Sequence, residues 1–214
     1  MLDFSLIYTS ILNSLLDAWY IIPIIILVLF FKSAYLKGVV GEIFVNIILK
    51  MRLDKKKYHL IKNVTLPTKD GTTQIDHIIV SEFGIFVIET KNMKGWIYGN
   101  VKQKVWTQKI YKNTSKFQNP LHQNFKHTKT IESLLGIDSS KIFSLVVFVG
   151  DSTFKTKMPN NVIYINQLIS YIKSKTDKII AFSEVNKIVS LIEEGRLART
   201  FKTNREHVKY IQNK

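Results

Sequence analysis

Apolar and polar residues alternate at several different periods along this chain, and each period predicts an element. Residues 18–31, AWYIIPIIILVLFF, carry no charge. Extended back to about residue 12, the run reaches roughly 20 residues with Asp17 as its one charge, close to the ~20 residues that cross a hydrocarbon core. Trp19 and Tyr20 sit where interfacial aromatics are expected, and Pro23 is tolerated in a span. A buried helix of a water-soluble core would be amphipathic, and this run is uniformly apolar. One transmembrane helix over about 12–31 is therefore expected. A cleaved leader fits poorly, because no positive charge precedes the run and no small-x-small site follows it. Lys32 and Lys37 follow the span, so the positive-inside rule places the remaining chain on the cytoplasmic side, single-pass, at the cell membrane.

Beyond the span, Val40, Ile43, Phe44, Ile47, Ile48 and Met51 recur at helical intervals and predict a helix over 38–53. DKKKYH is a solvated turn, and YHLIKNVTLP reads as a strand ending at Pro67. Asp70-Gly71 signals a turn. Residues 74–80 and 85–90 are β-rich runs joined by SEFG, which predicts a hairpin. GWIYGN and KVWTQKI add two short strands. Asn119-Pro120 opens a helix that closes at Gly136. IFSLVVFVG is continuously apolar, as a central buried strand is, and VIYI is a further strand. Helical patterns cover about 166–175, 183–194 and 203–213. The expected fold class is α/β, a mixed central sheet flanked by helices and preceded by the membrane helix. Two domains follow: an anchor over 1–32, and a body over 38–214 whose C-terminal helices complete the fold.

Composition narrows the chemistry. The 214 residues contain no cysteine, which excludes disulfides, thiolate metal sites and a cysteine nucleophile and agrees with a reducing compartment. The formal net charge is +15, and no Lys or Arg precedes Lys32, so all the positive charge lies beyond the apolar run. Such an excess suits an anionic partner, nucleic acid or a membrane face; the abundance of Lys, Ile and Asn throughout also fits an AT-rich coding bias. No G-x-S-x-G and no phosphate-binding glycine loop is present.

The candidate chemistry sits in QIDHIIVSEFGIFVIETKN, residues 74–92. Glu89 and Lys91 are two apart on a strand and share a face. The hairpin break at 81–84 sets Asp76 opposite roughly residue 89, within a residue or two of register. Two carboxylates could then reach one divalent ion beside an ammonium group, the parts needed to activate water at a phosphodiester. On spacing alone the alternative stays open: two solvated strand ends with an incidental ion pair, since Asp54-Lys55-Lys56 shows that acid-x-Lys triplets also arise in loops.

Taken together, GEIFVNIIL, TQIDHIIVSEFGIFVIETKNMKGWIYG, VWTQ and NPLHQNFKH closely resemble the nuclease-related domain family, from about residue 41 to residue 136. That family resembles a branch of the PD-(D/E)xK nucleases. The resemblance implies a restriction-endonuclease-like core, with Asp76 and Glu89 as metal ligands and Lys91 as the catalytic lysine. Glu42 corresponds to the first-helix acid and Gln123 to the second-helix polar position. The implied ion is magnesium, with manganese as the alternative, and the implied activity is hydrolysis of DNA phosphodiester bonds by a membrane-anchored nuclease. Ile75 stands where the superfamily name has proline, and metal binding does not depend on it.

Other residues carry two readings each. Glu42 near a helix start equally suits the helix dipole. His77 is expected on the face opposite Asp76, as a core or supporting residue. Gln123 and His127 share a helix face, and of the two only Gln123 is assigned to the site; His122 reads as surface. Lysines interleave with Trp96, Tyr98, Trp106 and Tyr111, which suits either a nucleic-acid surface or an ordinary sheet with aromatics inside and lysines outside. Two rival functions remain: a non-catalytic module binding nucleic acid or a protein partner at the membrane, and a basic domain lying on anionic lipid.

Overall fold

The computed structural model describes residues 4–69 and 71–198. The expected helix over 203–213, and Asp70 of the expected turn, lie outside the described residues. The chain divides into two compact units, residues 1–40 and 41–214.

The first unit corrects the expected membrane span. The apolar run is broken into α1 (Phe4–Asp17) and α2 (Ile21–Lys32), with a turn at 18–20 closed by the Ile21 and Ile22 amides on the Ala18 and Trp19 carbonyls (2.9 and 3.1 Å). The 12 residues of α2 extend ~18 Å at 1.5 Å per residue, short of a ~30 Å hydrocarbon core. Among the described residues no helix is long and apolar enough to cross a membrane. The sequence window saw one apolar stretch and did not register that the turn divides it. Helix α3 (Ala34–Arg52) starts four residues before the expected 38, because the Ser33 hydroxyl accepts the Leu36 amide at 3.2 Å and caps it.

The second unit contains two mixed sheets flanked by helices. The first sheet comprises β1 (His59–Thr68), β2 (Gly71–Ser81), β3 (Gly84–Asn92), β7 (Ile142–Val149) and β9 (Val162–Tyr164), in the order β1-β2-β3-β7-β9. The β1-β2-β3 segment is an antiparallel meander. Strands β7 and β9 then add in parallel, and β3 and β7 at the centre are buried on both faces, so their sequences read as continuous apolar runs. On one face Ile61, Leu66, Val80, Ile85 and Val87 pack against α4 (Pro120–Leu135) and α6 (Phe182–Gly195). On the other, Phe86, Ile88 and Val147 pack against Val45 and Leu49 of α3 and Leu168 and Ile172 of α5 (Leu168–Lys173).

A single sheet was expected; the chain forms a second, β6-β5-β4-β8, from β4 (Gly95–Tyr98), β5 (Val105–Ile110), β6 (Asn113–Gln118) and β8 (Ser152–Phe154). After β3 the Met93 amide still bonds to Val149 (3.0 Å), and the chain then turns away at Gly95. That residue has φ +77°, and a Cβ there would lie 2.5 Å from the Lys109 carbonyl oxygen, so only glycine allows β4 to lie this close to β5. β6 and β8 escape the sequence reading because NTSKFQ is almost wholly polar and STF has three residues. Their pairing partners make them strands; their own patterns do not.

Candidate active site

Asp76 lies at a gap in the first sheet. The β1-β2 register pairs Lys62 with His77 and Val64 with Ile75 and skips Asn63 and Asp76 between them; Asn63 has φ +48°. The β2-β3 ladder likewise ends at His77↔Ile88, one step before Asp76 would face Glu89. There the Asp76 side chain replaces the ladder: Oδ2 accepts the Thr90 amide at 2.8 Å. Residues opposite one another across a ladder share a face, as do Glu89 and Lys91 two apart, so all three side chains sit on the α4 side.

α4 supplies the roof. Its Asn119-Pro120 start forms as expected, with Asn119 Oδ1 accepting the Leu121 amide (2.9 Å) and Gly136 closing the helix at φ +61°. Lys91 Nζ donates to Glu89 Oε1 at 2.6 Å and to Gln123 Oε1 at 3.0 Å. Glu89 is 2 % exposed, so it is a buried charge that must be paired. On its other oxygen, Oε2 lies 3.2 Å from His127 Nε2, and His127 Nδ1 lies 2.8 Å from Thr73 Oγ1. An ionised carboxylate only accepts, so Nε2 donates to it, and in the neutral ring Nδ1 takes the Thr73 hydroxyl hydrogen.

Glu42 reaches the cluster from α3, because a Cβ on Gly41 would meet Asn92 Cβ at 2.7 Å. Glycine therefore brings the α3 backbone against the end of β3, one residue past Lys91. The four charged groups set one another's protonation. Burial, then Glu89, pushes Glu42 up to about 7 against the pull of Lys91. Burial, then Glu89 and Glu42, holds Asp76 well above the usual carboxylate range, although the Thr90 amide and Lys91 oppose it. For Glu89 burial is likewise the largest effect, but Lys91 and His127 together outweigh it and hold the carboxylate below its usual value. Burial would lower Lys91, and Glu89, Asp76 and Glu42 raise it instead. Three acids thus crowd one ammonium group.

The donor set fits a hard divalent cation. Asp76 keeps Oδ1 for a ligand while Oδ2 is bound, and the excess of acid is what a cation relieves. Among the described residues no group of three or more His, Asp or Glu side chains forms a cage by itself. Magnesium does not require one, since it is commonly held by one or two carboxylates with waters and substrate phosphates completing the shell.

The five side chains singled out in the sequence thus lie in one cluster: Glu89, Lys91 and Gln123 are joined by hydrogen bonds, and Asp76 and Glu42 act on them through electrostatics. His77 takes the opposite face, fully buried, with Nδ1 3.4 Å from Thr90 Oγ1. His127 and Thr73, which the sequence reading left out, are joined to Glu89. Asn124, also left out, acts on the helix as a whole: its Nδ2 donates to the Val87 and Leu145 carbonyls and the Ser144 hydroxyl (2.9, 3.2 and 2.8 Å) and fixes α4 to β3 and β7. A signal for these was present, because Pro120, Asn124, His127 and Ile131 form the buried stripe of α4. Polar residues on a helix's apolar stripe must have partners inside. His122 is exposed, with Nε2 2.8 Å from the Val101 carbonyl. Trp106 is buried and Trp96 is exposed, so the aromatic-in, lysine-out reading holds for only one of the two.

Glu42 gives a pH signature. A carboxylate raised from 4.5 to about 7 disfavours folding as it ionises. The stability its protonated form lends is therefore complete below pH 4.5 and is lost as pH rises through 7. Glu42→Gln removes that loss. In chelator, the variant is expected to match wild type at pH 4.5 and exceed it by about 2 kcal/mol at pH 8, partial exposure screening the full ~3 kcal/mol. Melting curves at the two pH values measure this; an equal offset at both would contradict it.

The family model of the nuclease-related domain matches residues 37–149. An uncharacterised protein of Bacillus anthracis is 41 % identical over 183 residues, covering 83 % of this chain and 85 % of that protein. The nuclease-related domain falls within the PD-(D/E)xK-like nuclease superfamily. With Asp76, Glu89 and Lys91 gathered at the gap in a mixed sheet, and with more than half of its length matched, the chain belongs to the nuclease-related domain family.

Proposed function

We propose that this protein is a divalent-metal-dependent nuclease that hydrolyses phosphodiester bonds of DNA. The observation that carries the reading is the junction at Lys91, whose ammonium group joins Glu89 and Gln123 (2.6 and 3.0 Å) beside Asp76. Asp76 and Glu89 would hold magnesium or manganese, which when bound supplies positive charge to the phosphoryl oxygens and lowers the pKa of a bound water. Lys91 stabilises the negative charge developing on the phosphoryl oxygens and orients the water. Gln123 fixes the lysine, and His127 with Thr73 fixes the second oxygen of Glu89. Glu42, poised near 7, is suited to take or give a proton at neutral pH.

The test is the full chain, purified in mild detergent, incubated with plasmid and linear DNA in magnesium, manganese or chelator. Cleavage with either ion and none in chelator is expected. Salt-sensitive binding that ignores metal, with no cleavage under any condition, would instead favour the non-catalytic binding module, whose support is the basic surface alone.

Membrane attachment through the apolar surface of the first unit belongs to the same proposal. Its support is α2, where Ile21, Ile22, Ile24, Ile25, Ile26, Leu27 and Val28 are all exposed, an apolar surface of the kind that marks an interaction site. Fractionation of cells should recover the full chain with membranes and a chain lacking 1–32 in the supernatant. Recovery of both in the supernatant would remove this part.

A further inference from the structure

The outer face of the second sheet is built from residues the catalytic reading does not use. Register places Trp96 opposite Lys109 and Thr153, and Tyr98 opposite Thr107, which in turn faces Lys116. Opposed residues share a face, so these side chains form one surface. The reverse face carries Ile97, Trp106 and Phe154, packed on Phe148. Trp96 is 46 % exposed, an unusual position for the largest apolar side chain when a core lies on the other side of its own strand. Its ring carries the ammonium groups of Lys155 and Lys109 at 4.6 and 6.0 Å from the centroid. At the hairpin tip Tyr111, with φ +51°, stands 93 % exposed. Trp96 and Tyr111 flank a cleft of about 530 Å³, whose acid is Asp151 and whose basic groups are Lys94 and Lys109.

Charge gives the surface a sign. No Asp or Glu lies between Glu89 and Glu132, and neither Lys109 nor Lys155 makes an ion pair among the described residues. Four residues of chain, 92–95, separate Trp96 from Lys91, at most ~18 Å when extended. A strand held on this face therefore lies within a short reach of the candidate active site.

We infer that the outer face of the β6-β5-β4-β8 sheet is a stacking platform for single-stranded DNA: a base stacks on the Trp96 ring while Lys109 and Lys155 move to the flanking phosphates. A duplex hides its base faces in the stack and offers Trp96 nothing, whereas an unpaired strand offers a π-face at every base. The proposed nuclease would then prefer single strands or frayed ends. This rests on the nucleic-acid reading above but not on turnover.

The experiment measures anisotropy of a labelled oligo-dT 16-mer and of a duplex of equal length with the full chain, in chelator so that nothing is cut. The single strand should bind more tightly than the duplex. Trp96→Ala should weaken oligo-dT about 10-fold or more with an unchanged salt slope, and Trp96→Phe should recover part of the loss. Lys109→Ala and Lys155→Ala should each reduce the log–log salt slope by about 0.7. If wild type binds neither DNA, both this inference and the nucleic-acid reading fail. If it binds oligo-dT and Trp96→Ala binds equally well, the platform alone fails. Tighter binding of oligo-U than oligo-dT would overturn the assignment to DNA. Trp96-dependent binding of anionic vesicles, with oligo-dT binding unchanged in the variant, would give this face to lipid instead.

Discussion

Asp76→Asn is expected to abolish metal-dependent cleavage, by about 10³-fold or more, and at the same time to make the metal-free protein more stable. The two effects share a cause. Asp76 is half-buried beside Glu89 and Glu42, and its charge is disfavoured by all three circumstances. Asparagine keeps the acceptor for the Thr90 amide, now 2.8 Å from Oδ2, so the backbone at the sheet gap is retained. What disappears is a charged oxygen for the cation, together with the transition-state stabilisation the cation brings. What is gained is relief of like-charge crowding, on the order of 1–2 kcal/mol, or about 2–8 °C in Tm for a chain of this size. The gain should appear at pH 8 in chelator, shrink as pH falls, and vanish only below the ordinary aspartate value of 3.8, where wild-type Asp76 is protonated in both folded and unfolded chains. Excess magnesium should narrow the difference, because only wild type then gains a ligand. A destabilised Asp76→Asn protein in chelator at pH 8, or one that still cleaves, would contradict this account of the cluster.

Asn124→Ala should produce a large loss of stability for the replacement of a polar residue on α4. One buried amide group holds three acceptors on two strands, the Val87 and Leu145 carbonyls and the Ser144 hydroxyl. Truncation leaves those acceptors without their donor in a site closed to water and leaves a void. About 2–4 kcal/mol is expected, lowering Tm by roughly 4–16 °C. Activity should fall as well at temperatures where the variant remains folded, because Gln123 and His127 flank Asn124 on the helix and the loosened helix no longer fixes Lys91 and Glu89. Comparison with Asn124→Asp separates the contributions: the volume returns, the donor does not, and a further charge is buried, so stability should not recover. Wild-type melting by either variant would show that the three hydrogen bonds do not hold α4 in place.

Legibility from sequence followed the physics of each element. The apolar strands β3 and β7 were readable, because a strand buried on both faces leaves a continuous run. The SEFG turn set the register that places Asp76 one step past His77↔Ile88 and opposite Glu89, so the carboxylate pair and Lys91 could be named from spacing and resemblance. Helix α4 announced both of its ends through Asn119-Pro120 and Gly136. The second sheet was harder, since β6 is a strand through its pairing with β5 and not through its composition. His127 and Asn124 were obscured because a polar residue inside a helix reads as solvated until the stripe it belongs to is known. The apolar run before Lys32 misled most: hydropathy averages over a window, whereas the turn at 18–20 depends on local backbone geometry that the average erases.

The central claim is that Asp76 and Glu89 converge on one divalent cation beside Lys91. Calorimetric titration of magnesium into the full chain at pH 7.5 tests it most directly. One ion should bind per chain, with release of protons, since Asp76, held above the usual carboxylate range, must ionise to become a ligand; Asp76→Asn and Glu89→Gln should each weaken binding about 10-fold or more. Magnesium binding of unchanged affinity in both variants would contradict the claim.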